Sequence, residues 1–238
     1  MNTPLAAALD AGRVRAITID LDDTLWPIWP IIERAEAALA VWMAEHAPTT
    51  AAQWSDPAKL REVRDQMHVL RPDLAHDLSA LRRESIRHVL TQSGDDPALA
   101  EAAFDVFFAE RQRVELFEDA VPALEWLAAR YPVVALSNGN ADVHRVGLGH
   151  HFRDALSAYK FGVGKPDARI FHAAALAAGV KAEEVLHIGD DAHLDVVGAL
   201  GAGMQVAWVN REGHVWEHAP LQPHTTVSDL MALCRQLG

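Results

Sequence analysis

Four short runs of β-branched and other apolar residues place the strongest limit on the fold of this chain. Most of them are apolar nearly throughout, and they occupy residues 14–19, 133–136, 185–188 and 205–209. Such runs are typical of strands that are buried on both faces of a parallel sheet. Helical segments are predicted between the later runs, at 122–130, 166–178 and 194–200. The alternation of strand and helix predicts an open α/β sheet with right-handed crossovers.

The interval between the first two runs is too long for a single crossover. A βαβ unit needs only about 30 residues, so roughly 80–90 are in excess. The excess segment is predicted to be helical, with helices at 31–44, 59–70, 76–90 and 97–114 and breaks at 48–50, 71–73 and 93–96. We therefore expect a core domain at 1–26 and 116–238 and an inserted helical cap at 27–115.

Composition narrows the class of protein. Lys and Arg total 21 against 33 Asp and Glu, a formal net charge of −12, which disfavours nucleic acid and anionic membranes as partners. The single cysteine, Cys234, cannot form an internal disulfide. Residues 1–10 lack the features of a signal peptide, and no apolar stretch approaches the ~18 residues of a membrane span. These observations lead us to expect a cytoplasmic protein.

Carboxylates and small polar residues follow three of the predicted strands. Asp20 and Asp22 follow the first, Ser137-Asn138-Gly139 the second, and Gly189-Asp190-Asp191 the third, with Asp195 one helical turn further on. Ligands of open α/β sheets bind beyond the carboxyl ends of the strands. Carboxylates that converge there repel each other unless a cation lies among them, and Mg²⁺ prefers oxygen ligands. The alternative is that these Asp residues only form turns and cap helices.

Four stretches, taken in order, resemble the motifs of the haloacid dehalogenase superfamily. They are Asp20-Leu21-Asp22-Asp23-Thr24-Leu25, Ser137-Asn138, Lys165-Pro166 and Gly189-Asp190-Asp191-Ala192-His193-Leu194-Asp195. The resemblance covers essentially the whole chain, and the helical insert resembles the C1-type cap of that superfamily. It implies a Rossmann-like core.

The resemblance also implies a reaction and roles for the motif residues. Asp20 would be the nucleophile that forms a phosphoaspartyl intermediate, and Asp22 the general acid and later the general base. The hydroxyl of Ser137, the main-chain N–H of Asn138 together with its side chain, and Lys165 would bind the phosphoryl oxygens.

A magnesium site is implied at the same place. Its ligands would be Asp20, Asp190 and the main-chain carbonyl of Asp22. Thr24, Asp191 and Asp195 would support the site without contacting the metal, and the two aspartates would orient waters or Lys165.

The second aspartate of the first motif narrows the activity. The dehalogenase members that the chain resembles lack it, because a departing halide needs no proton. Asp22 therefore favours a phosphatase, with a phosphomutase as the first alternative and a non-catalytic phosphometabolite-binding protein as the second. Asp23 stands where glycine is common, and we assign it no chemical role.

A closer resemblance concerns the substrate. Ser137-Asn138-Gly139-Asn140-Ala141, Gly147-Leu148-Gly149, 186–191 and 203–209 resemble bacterial phosphatases of flavin mononucleotide and of 5-amino-6-(5-phospho-D-ribitylamino)uracil. We expect a small phosphorylated metabolite as substrate. Trp26 and Trp29, which follow the first motif, are candidates for stacking on a planar group of it, or for packing the hinge of the cap.

Other polar residues have two interpretations each. Arg82, Arg83 and Arg87 lie on a predicted cap helix, where they would bind an anionic substrate tail or form a solvated face. His187 lies inside an apolar strand, which favours a hydrogen-bonded core histidine over a ligand. The sequence leaves the oligomeric state open.

Overall fold

The computed structural model describes residues 8–238. Residues 1–7, which belong to the segment expected to lack a signal peptide, lie outside the described residues. The described chain forms two compact units. One consists of the residues up to Pro27 together with Glu115–Gly238, and the other of Ile28–Val114. Within residues 8–238, no helix is both long enough and apolar enough to cross a membrane.

The first unit, here called the sheet unit, contains a parallel sheet of six strands. They are β1 (Ala16–Ile19), β2 (Val133–Ser137), β3 (Asp154–Ser157), β4 (Val185–Gly189), β5 (Gln205–Val209) and β6 (Thr225–Val227). Their order in the sheet is β3-β2-β1-β4-β5-β6, and every neighbouring pair is parallel. The four apolar runs form β1, β2, β4 and β5, which confirms the predicted α/β fold.

The two strands that the sequence did not predict lie at the edges of the sheet. Among the described strands, β3 pairs only with β2 and begins at the exposed Asp154, and β6 has three residues. An edge strand is covered less completely than a central one, so it does not need the continuous apolar run on which the prediction relied.

The second unit, here called the helical unit, contains helices α1 (Ile28–His46), α2 (Pro48–Gln53), α3 (Pro57–Leu70), α4 (Leu78–Ser93) and α5 (Ala100–Arg111). The prediction of a break at 48–50 is wrong, because Pro48 occupies the first turn of α2, where a missing N–H costs nothing. A buried cluster that includes Leu39, Leu90, Phe104 and Phe107 forms the core of this unit.

The remaining helices belong to the sheet unit: α6 (Ala120–Ala128), α7 (Ala158–Phe161), α8 (Ala168–Ala178), α9 (Gly198–Gly201) and α10 (Leu230–Leu237). A π-helical segment, Ala192–Val197, precedes α9 in the region predicted as one α-helix. The apolar core includes Ile170 and Phe171 of α8 together with Val134, Val185 and other strand residues.

Helix α8 begins two residues later than predicted. The carboxylate of Asp167 caps it by accepting from the N–H of Arg169, so Pro166 precedes the helix. The helix ends as predicted at Gly179, whose φ of 82° is readily adopted only by glycine.

Candidate active site

The carboxyl ends of the central strands hold the motif residues. Strands β1 and β4 are paired in register from Ala16↔Val185 to Ile19↔Ile188, and the N–H of Asp20 extends the pairing by donating to the carbonyl of Ile188 at 2.9 Å. A cavity of about 180 Å³ opens at this edge. It is lined by Asp20, Asp22, Asp23, Ser137, Asn138, Gly139, Lys165, Asp190, Asp191, Leu194 and Asp195.

A buried lysine joins two carboxylates in this cavity. Lys165 Nζ lies 2.6 Å from Asp20 Oδ1 and 2.6 Å from Asp195 Oδ1, and all three residues are buried. Burial alone would lower the pKa of Lys165, but the charges of Asp195 and Asp20 outweigh it, so the pKa is raised. Lys165 is therefore a permanent cation in the site.

The acidic groups outnumber this cation. Carboxylate oxygens of Asp20, Asp190 and Asp195 all lie within 4.8 Å of one another. Burial raises the pKa of Asp20 well above its usual value, and the charges of Asp195 and Asp190 add to the rise against the opposing effect of Lys165. Burial and the charge of Asp195 likewise raise the pKa of Asp190 to about 7. A second cation at this place would relieve the repulsion.

The donor set suits a hard divalent cation. Every candidate ligand atom in the cluster is a carboxylate oxygen, the type that Mg²⁺ prefers. The two oxygens of Asp195 already accept hydrogen bonds from Lys165, His187 and the N–H of Asp191. Asp20 and Asp190 are therefore the better pair of ligands, and Asp195 is better placed to hold Lys165.

A chain of buried polar groups supports Asp195 from inside the sheet. His187 Nε2 lies 3.0 Å from Asp195 Oδ1, and His187 Nδ1 lies 2.8 Å from the hydroxyl of Thr18, its register partner on β1. His187 is thus the hydrogen-bonded core histidine that the apolar strand favoured. The link of His187 to the site was not predicted, because its signal in the sequence is no more than one polar residue in each of two apolar strands.

The side chain of Asn138 binds protein rather than the cavity. Its amide donates to the carbonyl of Lys165 at 2.8 Å and accepts from the N–H of Lys165 at 2.7 Å. This pair of bonds ties the loop before α8 to the end of β2. The side-chain part of the predicted phosphoryl contact is therefore wrong, and only the main-chain N–H of Asn138 is left for that role.

Ser137 is suited to bind an anion. It is buried, and its Oγ accepts from the N–H of Gly139 at 2.9 Å. Since that contact uses a lone pair, the hydroxyl proton of Ser137 can be donated to a ligand.

Thr24 and Asp191 have different structural roles. The hydroxyl of Thr24 donates to Asp190 Oδ1 at 2.8 Å and so orients a candidate ligand, as expected. Asp191 Oδ1 accepts from the N–H groups of His193 and Leu194 and caps the π-helical segment. Both Asp191 and Asp195 were predicted to orient waters or Lys165. Asp195 is the one that contacts Lys165.

The two tryptophans have opposite environments. Trp26 is 0% exposed, and its indole N–H donates to Asp22 Oδ1 at 2.8 Å. The prediction that Trp26 offers a face for stacking is therefore wrong, since its ring is enclosed by protein. Trp29, in α1 of the helical unit, is 60% exposed and keeps an accessible ring.

The sequence of this chain is similar to those of known proteins. Residues 14–203 match the haloacid dehalogenase-like hydrolase family. The chain is 33% identical over 230 residues to the 5-amino-6-(5-phospho-D-ribitylamino)uracil phosphatase YigB of Escherichia coli, a match that covers 93% of this chain and 95% of that protein. It is 37% identical over 155 residues to a phosphoserine phosphatase of Thermus thermophilus, covering 63% of this chain and 62% of that protein.

Solved structures include a crystal structure of a 2-haloacid dehalogenase from Pseudomonas syringae. It superposes with a TM-score of 0.86 at 38% identity, over 94% of this chain and 97% of that one. The family match confirms the prediction of an enzyme of the hydrolase class, and the phosphatase relatives support the prediction of a phosphatase. Family match, fold and site together lead to one conclusion: the chain belongs to the haloacid dehalogenase-like hydrolase family.

Proposed function

We propose that this protein is a Mg²⁺-dependent phosphomonoester phosphatase that works through a phosphoaspartyl intermediate. The observation that carries the proposal is the buried Asp20 carboxylate, held by Lys165 at 2.6 Å in a cavity that Asp22 also lines. In-line displacement at phosphorus needs a fixed nucleophile, neutralised phosphoryl oxygens and a proton for the leaving oxygen. Each of these needs is matched by a residue of the cavity.

The first chemical step transfers the phosphoryl group to the enzyme. A carboxylate oxygen of Asp20 attacks phosphorus, and the bond between phosphorus and the leaving oxygen breaks with its electron pair on that oxygen. Asp22 donates a proton to the same oxygen, and the product alcohol departs. The enzyme is left with an acyl phosphate on Asp20 and an ionised Asp22.

The second step returns the enzyme to its starting state. Asp22, now a base, removes a proton from a water molecule as the water oxygen attacks phosphorus. The bond between phosphorus and the Asp20 oxygen breaks, and inorganic phosphate leaves. Asp22 has then recovered the proton that it gave in the first step.

The phosphoryl group would be held by donors and by charge. The hydroxyl of Ser137, the main-chain N–H of Asn138 and the ammonium of Lys165 are the proposed donors. Asp20, Asp190 and the main-chain carbonyl of Asp22 would hold Mg²⁺, which when bound neutralises phosphoryl charge. Asp195 keeps Lys165 in place through their bond of 2.6 Å.

We further propose that the substrate is a small metabolite with a planar ring remote from its phosphate. Flavin mononucleotide and the ribitylamino-uracil phosphate are the specific candidates. Support comes from YigB, similar over 93% of this chain, and from the exposed ring of Trp29. In this proposal the segment 27–115 acts as the cap that selects the substrate.

A second candidate is a 2-haloacid dehalogenase, which the similarity to the Pseudomonas syringae structure favours. In that reaction a carboxylate would displace halide from carbon, and the departing halide would need no proton. Asp22 and its hydrogen bond to Trp26 would then have no chemical task. That argument ranks the phosphatase first.

One assay separates these candidates. Purified protein is incubated with Mg²⁺ and a panel of phosphomonoesters, and separately with 2-chloropropionate, and released phosphate and chloride are measured. We expect phosphate release without any bisphosphate activator, which also excludes a phosphomutase, and no chloride release. Chloride release with an inert phosphoester panel would overturn the proposal in favour of the dehalogenase. Ranking the panel by kcat/KM tests the substrate class, and sugar phosphates clearly above flavin and pyrimidine phosphates would overturn that part alone.

A further inference from the structure

The loop that follows β1 turns back and brings a tryptophan to an active-site carboxylate. The N–H of Leu25 donates to the carbonyl of Leu21 at 2.8 Å, and the N–H of Asp23 donates to the carbonyl of Trp26 at 2.7 Å. Asp23 has a φ of 57°, in the left-handed region, which allows the tight reversal. Asp22 and Trp26 consequently form a β-bridge.

Residues outside the reversed loop also hold it in place through hydrogen bonds to its main chain. The N–H of Phe117 donates to the carbonyl of Leu25 at 3.0 Å. Arg211, which is paired with Asp119, donates to the carbonyl of Thr24 at 2.9 Å. The indole of Trp26 is fully buried, so it approaches Asp22 from a fixed position. Its N–H donates to Asp22 Oδ1 at 2.8 Å, within the normal range for a hydrogen bond to a carboxylate.

We propose that Trp26 is a positioning residue for the general acid, and that its indole N–H selects the carboxyl oxygen of Asp22 that transfers the proton. This inference rests on the proposed phosphatase function. An indole N–H donates and cannot accept, so Oδ1 acts as an acceptor in this contact whether or not the carboxyl is protonated. Because the carbonyl oxygen of a carboxylic acid is a stronger acceptor than its hydroxyl oxygen, this contact favours Oδ1 as the carbonyl oxygen and places the transferable proton on Oδ2.

The consequence for the first step can be written atom by atom. As the bond from phosphorus to the leaving oxygen breaks, its electron pair stays on that oxygen, and the proton passes to it from Asp22 Oδ2. Asp22 becomes a carboxylate whose Oδ1 still accepts from Trp26. Without the indole N–H, the proton would occupy either oxygen and the carboxyl group would no longer be held in one orientation, so far fewer enzyme molecules would be ready to protonate the leaving group.

The leaving group provides the readout. An alkyl alcohol leaves poorly unless it is protonated, whereas p-nitrophenolate leaves readily without a proton. A residue that only packs the loop affects both kinds of ester alike. The parameter to compare is kcat/KM, because it covers the steps up to departure of the alcohol and excludes the later step in which Asp22 acts as a base.

Two variants and one control test the proposal. Trp26→Phe removes the N–H and part of the ring, and replacement of Trp26 by β-(3-benzothienyl)alanine keeps a bicyclic ring and removes only the N–H. Trp126→Phe is the control, because it makes the same substitution at a tryptophan of α6. The ring of Trp126 packs under the guanidinium of Arg130. Each protein is assayed with glycerol 2-phosphate and with p-nitrophenyl phosphate.

We expect both Trp26 variants to lose at least ~10-fold in kcat/KM for glycerol 2-phosphate and less than ~3-fold for p-nitrophenyl phosphate. Trp126→Phe should change neither value. Equal losses on the two esters in the benzothienylalanine protein would overturn the proposal, and so would no loss on either. If Trp26→Phe does not fold, the benzothienylalanine protein decides alone. Failure of the wild-type protein to release phosphate from either ester would instead overturn the proposed function, and this inference with it.

Discussion

Each unit of the chain contains a cluster in which charges of one sign outnumber those of the other. In the sheet unit, one lysine lies among three carboxylates, those of Asp20, Asp190 and Asp195. In the helical unit, the carboxylate of Glu36 lies 3.3–3.8 Å from Arg61, Arg64 and Arg82. The two clusters have opposite excess charge.

The two clusters differ in how far their excess charge is exposed to water. The side chain of Arg61 is 38% exposed, so water solvates part of the charge in the helical unit. Burial lowers the pKa of Arg82 to about 10, which leaves it charged at neutral pH, and its guanidinium lies 3.8 Å from the centre of the Phe107 ring. In the sheet unit, the side chains of Lys165 and Asp195 are at most 2% exposed, and of the three carboxylates only that of Asp190 is partly exposed to water.

This difference indicates a structural role for the cluster of the helical unit and a functional role for that of the sheet unit. The arginines join α3 and α4 to Glu36 on α1, and Arg83 and Arg87 likewise pair with Glu101 on α5. The substrate-tail and solvated-face interpretations both overlooked these partners. Burying Asp20 and Asp195, and partly burying Asp190, beside one lysine costs free energy that folding does not require, which is typical of a site built for a ligand.

Removal of one charge from each cluster tests this comparison and gives the largest expected effect. Asp20→Asn keeps the shape of the side chain but removes the attacking oxygen, so kcat should fall by several orders of magnitude while the fold survives. Glu36→Gln should leave kcat within a few-fold but lower the free energy of unfolding by about 1–3 kcal/mol, because three arginines lose their shared partner. Steady-state kinetics and urea denaturation of both variants measure this. If Asp20→Asn keeps more than a few per cent of wild-type kcat, the nucleophile is misassigned.

Metal removal tests the excess negative charge of the sheet unit. Chelation with EDTA should abolish activity and Mg²⁺ should restore it, whereas Ca²⁺, which is larger and less strict in geometry, should support little. Asp190→Ala should raise the Mg²⁺ concentration needed for half-maximal activity far more than Asp191→Ala, whose carboxylate caps a helical segment. Asp191→Ala should instead lower stability by about 1 kcal/mol through the lost cap. Full activity in excess EDTA would disprove the metal site.

The sequence was sufficient to predict the sheet-unit cluster because its members follow the ends of central strands. Parallel strands bring their carboxyl ends to one edge, so Asp20 and Asp190 meet regardless of their separation along the chain. The helical-unit cluster has no such rule. Glu36 and Arg82 lie on different helices, and their contact depends on how those helices pack, which periodicity does not specify.

Side-chain partners were the least predictable feature of the site. Asn138 and Asp191 stand in motif positions, yet their side chains bind main-chain groups of the protein. Trp26 was a candidate for stacking on the substrate or for packing the hinge of the cap, and it is buried against Asp22. Local main-chain turns place Asp191 and Trp26, whereas Asn138 bonds to a loop 27 residues further along the chain. Neither kind of geometry can be read from residue types alone.

The accessible tryptophan of the helical unit tests whether that unit contributes to substrate binding rather than to chemistry. Trp29→Ala should lower kcat/KM for flavin mononucleotide by at least ~10-fold, about 1.4 kcal/mol, because a stacking surface for the ring is lost. The same change should spare p-nitrophenyl phosphate, whose ring is too small to reach as far from phosphorus. Equal losses on the two substrates would mean that Trp29 only packs the protein.

The smallest expected effect concerns His187, which supports the sheet-unit cluster from behind. Burial lowers the pKa of this histidine, and its hydrogen bond to the carboxylate of Asp195 only partly opposes the effect. The unfolded chain, in which a histidine titrates near ~6.5, therefore takes up a proton before the folded protein does as the pH falls. The stabilisation that His187 provides is complete above about pH 6.5 and is lost progressively below it.

His187→Gln measures this contribution. At pH 7.5 the free energy of unfolding of the variant should be about 1–2 kcal/mol lower than that of the wild type, because the hydrogen bonds to Thr18 and Asp195 are disturbed. On acidification, only the wild type loses stability through this histidine, by at most ~1.4 kcal/mol per pH unit. The free energies of unfolding of the two proteins should therefore converge between pH 7.5 and 5.5. Urea denaturation across this range tests it, with His214→Gln as the control because that side chain is mostly exposed and pairs only locally with Glu212. Parallel curves for wild type and His187→Gln would show that His187 is not held neutral, and the lysine–carboxylate cluster would then rest on a charged support.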